Sequence, residues 1–148
     1  MFRPNGVSLI LAIGGAAQIA RGWYSLRMGR ASASWTRTYG KIIKAVHLDT
    51  FWSRGGLRSV VHIDYEYEVN GSRHNSSRDG YDVEAERWSS ADAEEIVAGY
   101  HAGEPVAVYY DPEHPERSVR TPGSHRSAGP TLIFGLAMVA GAVYSAFS

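Results

Sequence analysis

The sequence contains no cysteine, which excludes disulfide bonds and thiolate metal sites. It also lacks net charge, because 15 basic residues balance 15 acidic ones over 148 residues. There is no Gly-x-Ser-x-Gly elbow, no Walker-type loop with its lysine, and no His-x-x-x-His pair among the six histidines. These absences remove the usual signatures of serine hydrolases, nucleotide-binding enzymes and zinc enzymes. We therefore expect no catalytic residues, no metal and no cofactor.

Acidic residues are missing from two stretches that lie on either side of an acidic middle. Residues 21–44 contain six basic residues and no acid, and residues 117–126 contain three basic residues and no acid. Residues 45–116 hold five basic residues against 15 acidic ones, a net charge of −10. A nucleic-acid-binding domain carries its positive charge along one face of the folded domain itself. The charge at the two ends therefore predicts no nucleic-acid partner.

The C-terminal stretch Ser127–Ser148 carries no charged residue at all. Pro130 suits the first turn of a helix, where its missing N–H is harmless. The 18 residues from Pro130 to Phe147 would span roughly 27 Å as a helix, close to the thickness of a bilayer core. Because the segment has no polar face, we predict a transmembrane helix.

The N-terminal apolar segment Val7–Ala20 is shorter and rich in glycine and alanine. It reaches membrane length if the helix continues through Arg21, whose side chain would then snorkel to the interface beside Trp23 and Tyr24. A cleaved signal peptide is the competing interpretation. The weak basic region before the run and the Trp-Tyr pair after it favour a retained transmembrane helix.

Small residues recur four apart in both apolar segments, at Ala12, Ala16 and Ala20 and at Ala137 and Gly141. This spacing lets helices approach closely in lipid, although alanine and glycine are also simply common in such helices. If the segments pair at all, we expect them to pair with each other.

The charges beside the apolar segments predict an orientation. The basic residues on the inner side of the two segments outnumber those on the outer side, and by the positive-inside rule the middle of the chain lies in the cytoplasm with both termini outside. Four arginines are then candidate contacts for lipid headgroups of an anionic leaflet: Arg21, Arg27, Arg30 and Arg126.

The middle of the chain has the patterns of a β-rich domain. Leu57–Asn70 is a predicted strand in which apolar residues alternate with His62 and three acids from Val61 to Val69, and Asn70-Gly71 is a hairpin-turn signal. A helical period follows between Ala93 and Tyr100, and this helix can be capped by Ser89 or Ser90 and is expected to end at His101–Gly103. The further predicted strands are Lys41–His47, Ser72–Gly80 at an edge, Glu104–Tyr110 and Arg117–Thr121. The sequence thus predicts an α+β membrane protein, in which two transmembrane helices flank a small curved antiparallel sheet of about five strands with one short helix.

This organisation divides the chain into three parts. Residues 1–30 form the N-terminal transmembrane helix and a basic juxtamembrane segment, residues 31–123 form a soluble β-rich module, and residues 124–148 form the C-terminal transmembrane helix. Within the module, Phe51 and Trp52 occupy a predicted loop, Asp49–Gly56, and are candidate contacts for a partner. Alternatively, both aromatics fold back to close one end of the sheet. Tyr109 faces away from Val106, Val108 and Tyr110, and it covers either the opposite side of the sheet or an interface, which makes it a third candidate contact.

The stretch "VYYDPEHP", from Val108 to Pro115, combines acids, a histidine and two prolines. Its strand period and its prolines predict a strand that ends at a rigid corner. Together with Tyr100, Gly103 and Val106 it forms the pattern Y-x-x-G-x-x-V-x-V-Y-Y-D-P-x-x-P. With Trp35, the "YEYEVNG" hairpin and the flanking apolar helices, this pattern resembles the family called domain of unknown function 3592. The resemblance implies a membrane-anchored β-rich module and supplies no catalytic residues.

Three functions remain open from the sequence. The first is a non-catalytic integral membrane protein whose module binds a membrane-protein partner or a second copy of the chain, for example as an accessory subunit. The second is a membrane-bound hydrolase that uses Asp111 with His114 or His62. The third is a small barrel that binds a ligand, which would need an apolar pocket.

Overall fold

The structure is a computed structural model of the chain, and it describes residues 6–53, 56–82, 88–123 and 126–147. The described residues form three helices and six strands. In chain order these are α1 (Gly6–Ser32), β1 (Thr36–Ser53), β2 (Gly56–Val69), β3 (Ser72–Ser76), β4 (Trp88–Ser89), α2 (Ser90–Ala98), β5 (Pro105–Tyr110), β6 (Ser118–Val119) and α3 (Ala128–Phe147).

The strands form one antiparallel sheet in the order β3-β2-β1-β5-β6, and β4 pairs with the first half of β2. β1 is much longer than the predicted strand Lys41–His47, since it continues through two register shifts, after Ile42 and after Leu48. Such bulges let a strand absorb an extra residue and keep pairing. The predicted loop Asp49–Gly56 is therefore largely wrong, because β1 stays paired with β2 as far as Ser53.

The alternation predicted in β2 is confirmed. Four residues of one face are buried, namely Ile63, Tyr65, Tyr67 and Val69. Tyr65, Tyr67 and Val69 form a core cluster with Val108, and Val106 and Tyr110 pack against it. The two tyrosine hydroxyls remain hydrogen-bonded inside this cluster: Tyr65 to the Arg78 carbonyl and the Ser118 hydroxyl, Tyr67 to the Pro115 carbonyl. A buried polar group costs little when it is paired in this way.

The predicted turns and helix also have clear local causes. Asn70 and Gly71 both have positive φ, at 51° and 78°, as the hairpin between β2 and β3 requires. α2 is capped by Ser89, whose hydroxyl accepts a hydrogen bond from the Asp92 N–H at 3.2 Å. The helix ends at Ala98, before the expected stop at His101–Gly103. Gly103 instead lies in the turn before β5, where its N–H donates to the Ile42 carbonyl.

Gly103 offers a clean test of this turn. Its φ is +89° and no atom lies within 4 Å of the position of a Cβ, so Gly103→Ala is strained by the backbone alone. We expect this variant to lower the free energy of unfolding by about 1–2 kcal/mol. Gly99→Ala is the matched control, because Gly99 has a helical φ of −75° and ordinary contacts. Denaturant midpoints that are equal for the two variants would contradict this account of the turn.

The expectation of two flanking transmembrane helices is only half met. Among the described residues, α3 is the one helix that is long and apolar enough to cross a membrane by length and composition. α1 has 27 residues but does not qualify on its own. The physical reason is its composition: Gln18 and Arg21 interrupt the apolar run, and glycine and alanine take the place of larger apolar side chains.

Candidate functional site

α1 and α3 pack against each other along stripes of small residues that repeat every seven positions. On α1 the buried residues of this stripe are Ser8, Gly15, Gly22 and Gly29. On α3 they are Ala128, Gly135 and Ala142. A seven-residue repeat keeps one stripe facing the partner along a pair of supercoiled helices. The repeat is visible in the sequence but is easily missed, because only small residues carry it.

The four-residue spacing considered from the sequence is not the spacing that mediates packing. Ala16, Ala20 and Ala137 are exposed, and Ala12 and Gly141 are only partly buried. The expectation that the two helices pair with each other is confirmed. Small residues occur on several faces of α1, and the sequence alone does not indicate which face meets α3.

The two helix backbones approach closely at Gly15 and Gly135. A Cβ on Gly15 would lie 2.7 Å from Cγ2 of Val139 and 2.8 Å from the Gly135 carbonyl oxygen. A Cβ on Gly135 would lie 2.9 Å from the Gly15 carbonyl oxygen and 2.8 Å from Cγ1 of Ile19. These distances are too short for any side chain, so glycine at both positions is what allows the contact.

Contacts between α1 and α3 show which residues of the two helices lie at the same position along the pair. Leu11 approaches Gly141 near the far end, and Gly22 faces Leu132 and the Ala128 carbonyl near the end next to the β-rich module. The helices therefore run antiparallel, and α1 accompanies α3 over nearly its full length. By this register, Trp23 and Tyr24 lie level with the first turn of α3.

The outward faces of the α1–α3 pair are formed by large apolar side chains. Ile10 and Ile133 are 71% and 70% exposed, and Ile13, Phe134 and Leu136 are also more than half exposed. Small residues thus face inward and large apolar residues face outward, the reverse of a helix pair in water. This inverted distribution is the arrangement expected of helices surrounded by lipid.

A junction centred on Tyr81 joins the α1–α3 pair to the sheet. Tyr81 is 4% exposed, and its ring makes edge contacts with Trp35 and Tyr24 at centroid distances of 5.8 and 5.9 Å. Its carbonyl accepts a hydrogen bond from the Ser25 hydroxyl of α1. Burial raises the pKa of the Tyr81 hydroxyl above its usual value, and the nearby Arg78 guanidinium opposes part of this rise.

Polar side chains complete this junction. Asp82 accepts hydrogen bonds from the Ser127 N–H and hydroxyl, directly before α3 begins. The Ser32 hydroxyl, at the end of α1, accepts a hydrogen bond from the Gly123 N–H at 2.9 Å. Both helices are therefore fixed to the module at the ends that face it.

Tyr109, a candidate partner contact, lies at the same junction. It is half-buried and packs against the cluster of Trp35, Tyr81 and Val119, to which Met28 of α1 also contributes. The strand period correctly placed Tyr109 on the face opposite Val108. That face is covered at this end by α1, so Tyr109 serves the internal junction between helix and sheet.

Phe51 and Trp52, the other two candidate partner contacts, lie in β1 and not in a loop. They pair with Arg58 and Leu57 near the far end of the β1–β2 hairpin. Their side chains lie outside the described part of the structure. Their role as contacts for a partner stays a prediction.

Asp111 organises the corner between β5 and β6. Its Oδ1 accepts a hydrogen bond from the Glu113 N–H at 3.0 Å, and its N–H donates to the Arg117 carbonyl. Its Oδ2 lies 3.6 Å from Nδ1 of His114 and 4.0 Å from Nη1 of Arg117. These contacts are those of a turn stabilised by an Asx side chain.

The proposed pairing of Asp111 with His62 is wrong. Tyr110, beside Asp111, pairs with Thr36 of β1, whereas His62 pairs with Val46 of the same strand. Ten residues of strand separate these two levels, which amounts to roughly 30 Å. His114 is within reach, but it is exposed and belongs to the same turn.

We expect Asp111→Ala to lower the free energy of unfolding by about 1 kcal/mol, the usual contribution of one such hydrogen bond. Asp111→Asn should cost less, because the amide oxygen can still accept from the Glu113 N–H. Chemical denaturation of both variants measures the difference. Equal losses in the two variants would show that the turn hydrogen bond is not what Asp111 contributes.

The described part of the β-rich module has a surface groove but no cluster of metal ligands. Among the described residues, no group of three or more His, Asp or Glu side chains could hold a metal ion. The sheet is open, with β3 and β6 at its edges, so the barrel alternative is not supported. A surface groove of about 400 Å³ lies on the sheet beside Tyr39, Lys41, Glu66, Glu68 and Arg73. Its lining combines these four charged residues with Tyr39, Tyr67, Pro105 and two glycines.

The module also matches a known family. The model of the family described as domain of unknown function 3592 matches residues 38–125, which are 88 of the 148 residues. The chain belongs to this family. The DUF3592 region includes the sheet, α2 and the corner after β5, whereas α1 and α3 lie outside it. A search of the curated proteins finds no match to this chain.

Proposed function

We propose that this DUF3592 protein is a non-catalytic integral membrane protein. In this proposal the α1–α3 pair anchors the β-rich module at the membrane surface, and the module binds another membrane protein or a second copy of the chain. The observation that carries the proposal is the inverted helix pair, with small residues between the helices and Ile10, Ile13, Ile133 and Phe134 directed outward.

In this proposal α1 lies in the membrane because it packs against α3. Its own composition is insufficient for a membrane span. α1 contacts α3 closely from Leu11–Gly141 to Gly22–Leu132. Because the two helices touch over this length, both lie in the same environment. Arg21 lies about one turn inside the end of the pair, a depth from which its long side chain reaches the interface. This packing also supports α1 as a retained helix and not a cleaved signal peptide.

The proposed orientation is supported by the positions of the positive residues. Arg21, Arg27, Arg30 and Arg126 all lie towards the module end of the pair, so the positive-inside rule places the module in the cytoplasm and both termini outside. The interaction role rests on the lack of a catalytic arrangement at Asp111. It also rests on the long β1–β2 hairpin, which extends beyond the part of β1 that β5 covers.

Alkaline extraction of membranes from cells that express the full chain tests the anchor. The wild-type chain should stay in the membrane pellet. Phe134→Asp combined with Leu136→Asp should release it, because each charge costs about 2.5–3.5 kcal/mol at the centre of a membrane helix. The matched control places two charges on the module, at the exposed residues Asn75 and Ser77, and should stay in the pellet. Release of the wild-type chain would contradict the anchor.

Two further measurements test the finer parts of the proposal. The chain has no cysteine, so Asn75→Cys introduces a single thiol on exposed β3. An impermeant maleimide should label it only after lysis, and labelling of intact cells would reverse the orientation. Purification in mild detergent should recover a homo-oligomer or a stoichiometric membrane-protein partner. A monodisperse monomer without a partner under all conditions would contradict the interaction role.

A further inference from the structure

We propose that Arg21, Arg27, Arg30 and Arg126 form a collar that binds the phosphate groups of anionic phospholipids, and so selects the leaflet composition around the anchor. The inference rests on the proposed membrane anchor and adds the chemistry of the lipid that it prefers. The four side chains lie at the module end of the pair, are exposed, and have no carboxylate partner among the described residues.

The four arginines lie at the end of the pair next to the β-rich module, and the three on α1 span about 14 Å of helix. Gly22 contacts Leu132 and the Ala128 carbonyl, so Arg21 lies beside the first turns of α3. Arg126 lies two residues before α3 begins, and Arg27 follows Arg21 by six residues, or about 9 Å of helix. Trp23 and Tyr24 are exposed at this same level. Aromatic residues of this kind are typical of the membrane–water interface.

The collar also surrounds the helix instead of lying on one side. Nine residues separate Arg21 from Arg30, and at 100° per residue this places them on roughly opposite sides of α1. All four arginines are exposed, while Gly22, Ser25 and Gly29 between them are buried against the rest of the protein. The side chains can therefore reach headgroups around the anchor without disturbing the packed face.

Ionic partners distinguish four basic residues of the β-rich module from the collar. Arg73, Arg117, Arg120 and Lys44 of the β-rich module each lie within 4 Å of a carboxylate. None of the four collar arginines has a carboxylate partner within the described parts of the chain. Exposed arginines without an internal partner leave their donors available to an external anion.

A phosphate-bearing lipid is the ligand that fits these observations best. The guanidinium group matches phosphate oxygens with paired N–H donors. The level of the collar, next to exposed Trp23 and Tyr24, coincides with the headgroup region when α3 spans the membrane. An acidic protein segment would satisfy the charge but would have to enter this interfacial layer, so it is the less favoured ligand and an outcome of the test.

A competition between two vesicle populations tests the collar with the full-length chain. One population contains phosphatidylcholine alone, and the other also contains phosphatidylglycerol. One of the two populations is filled with a dense solution, so that the vesicles can be separated by density after insertion. The wild-type chain should prefer the anionic vesicles by at least about tenfold, since each arginine near an anionic surface contributes on the order of fivefold. Added salt should reduce this preference.

The collar variant is Arg27→Gln/Arg30→Gln/Arg126→Gln, and its preference should fall to about fivefold or less, which is the contribution of the remaining Arg21. The control variant Lys44→Gln/Arg73→Gln/Arg117→Gln removes the same charge from exposed ion pairs of the module and should keep the wild-type preference. A collar variant with the wild-type preference would overturn the inference. An equal distribution of the wild-type chain between the two vesicle populations would also overturn it. The same holds if the collar variant loses a co-purified acidic protein, which would indicate an acidic protein segment as the ligand.

The same experiment separates failure of the collar from failure of the anchor. If only the collar is wrong, the wild-type chain inserts equally into both vesicles and resists alkaline extraction from each. If the anchor itself is wrong, alkaline extraction releases the chain from both populations, and the inference falls with it.

Discussion

Replacing Gly135 with leucine is expected to lower the thermal unfolding midpoint of the full chain in detergent by about 6–12 °C. A Cβ at this position would lie 2.9 Å from the Gly15 carbonyl oxygen and 3.0 Å from the Ile19 N. These are backbone atoms, so they cannot move aside as a flexible side chain can. Overpacking of this kind costs about 1–3 kcal/mol or more, and a loss near 3 kcal/mol corresponds to the stated change in midpoint.

Gly129→Leu is the matched control for this variant. Gly129 lies in the same helix, is exposed, and has no atom within 4 Å of the position of a Cβ. The two variants add the same side chain to the same helix, so their difference measures the contact between α1 and α3. If Gly135→Leu melts within a degree or two of Gly129→Leu, the close helix contact is not a source of stability.

Replacing Tyr81 with alanine is expected to have the other large effect, because Tyr81 links three parts of the molecule. Its ring touches Tyr24 of α1 and Trp35 before β1, and the guanidinium of Arg78 lies 4.8 Å above the ring. Deleting a buried aromatic side chain typically costs about 3–5 kcal/mol. We expect both a lower unfolding midpoint and faster trypsin cleavage near residues 78–82, since the junction loses its centre.

Tyr39→Ala serves as the control for Tyr81→Ala. Tyr39 is 67% exposed on β1, and its main ring contact is with Arg37, so its loss should change stability by about 0.5 kcal/mol or less. Tyr81→Phe should retain most of the stability, because the ring contacts and the backbone hydrogen bond from Ser25 remain. Equal destabilisation by Tyr81→Ala and Tyr39→Ala would show that the junction does not depend on Tyr81.

The parts of the fold that were predicted correctly depend on short stretches of sequence. The alternation from Ile63 to Val69, the Asn70-Gly71 turn and the Ser89 cap each require only neighbouring residues to be read. The corner at Asp111 is similar, because the Asx hydrogen bond to Glu113 spans two residues. Most of the sheet and the turn could therefore be predicted from local sequence.

The parts that were missed depend on contacts between distant segments. Nothing near Tyr81 in the sequence indicates that it packs between Tyr24 and Trp35, which are 57 and 46 residues away. The length of β1 depends on bulges that pairing with β2 stabilises. The helix contact could have been found from the seven-residue repeat of Gly15, Gly22 and Gly29. That signal was obscured by other small residues at a four-residue spacing.

The central claim is that the outward faces of the α1–α3 pair contact lipid. Spin labels on single cysteines at Ile13, Phe134 and Asn75 of the chain, reconstituted in vesicles, test it through collisions with oxygen and with a water-soluble nickel complex. The account predicts high oxygen and low nickel accessibility at Ile13 and Phe134, and the reverse at Asn75. Nickel accessibility at Ile13 and Phe134 as high as that at Asn75 would contradict it.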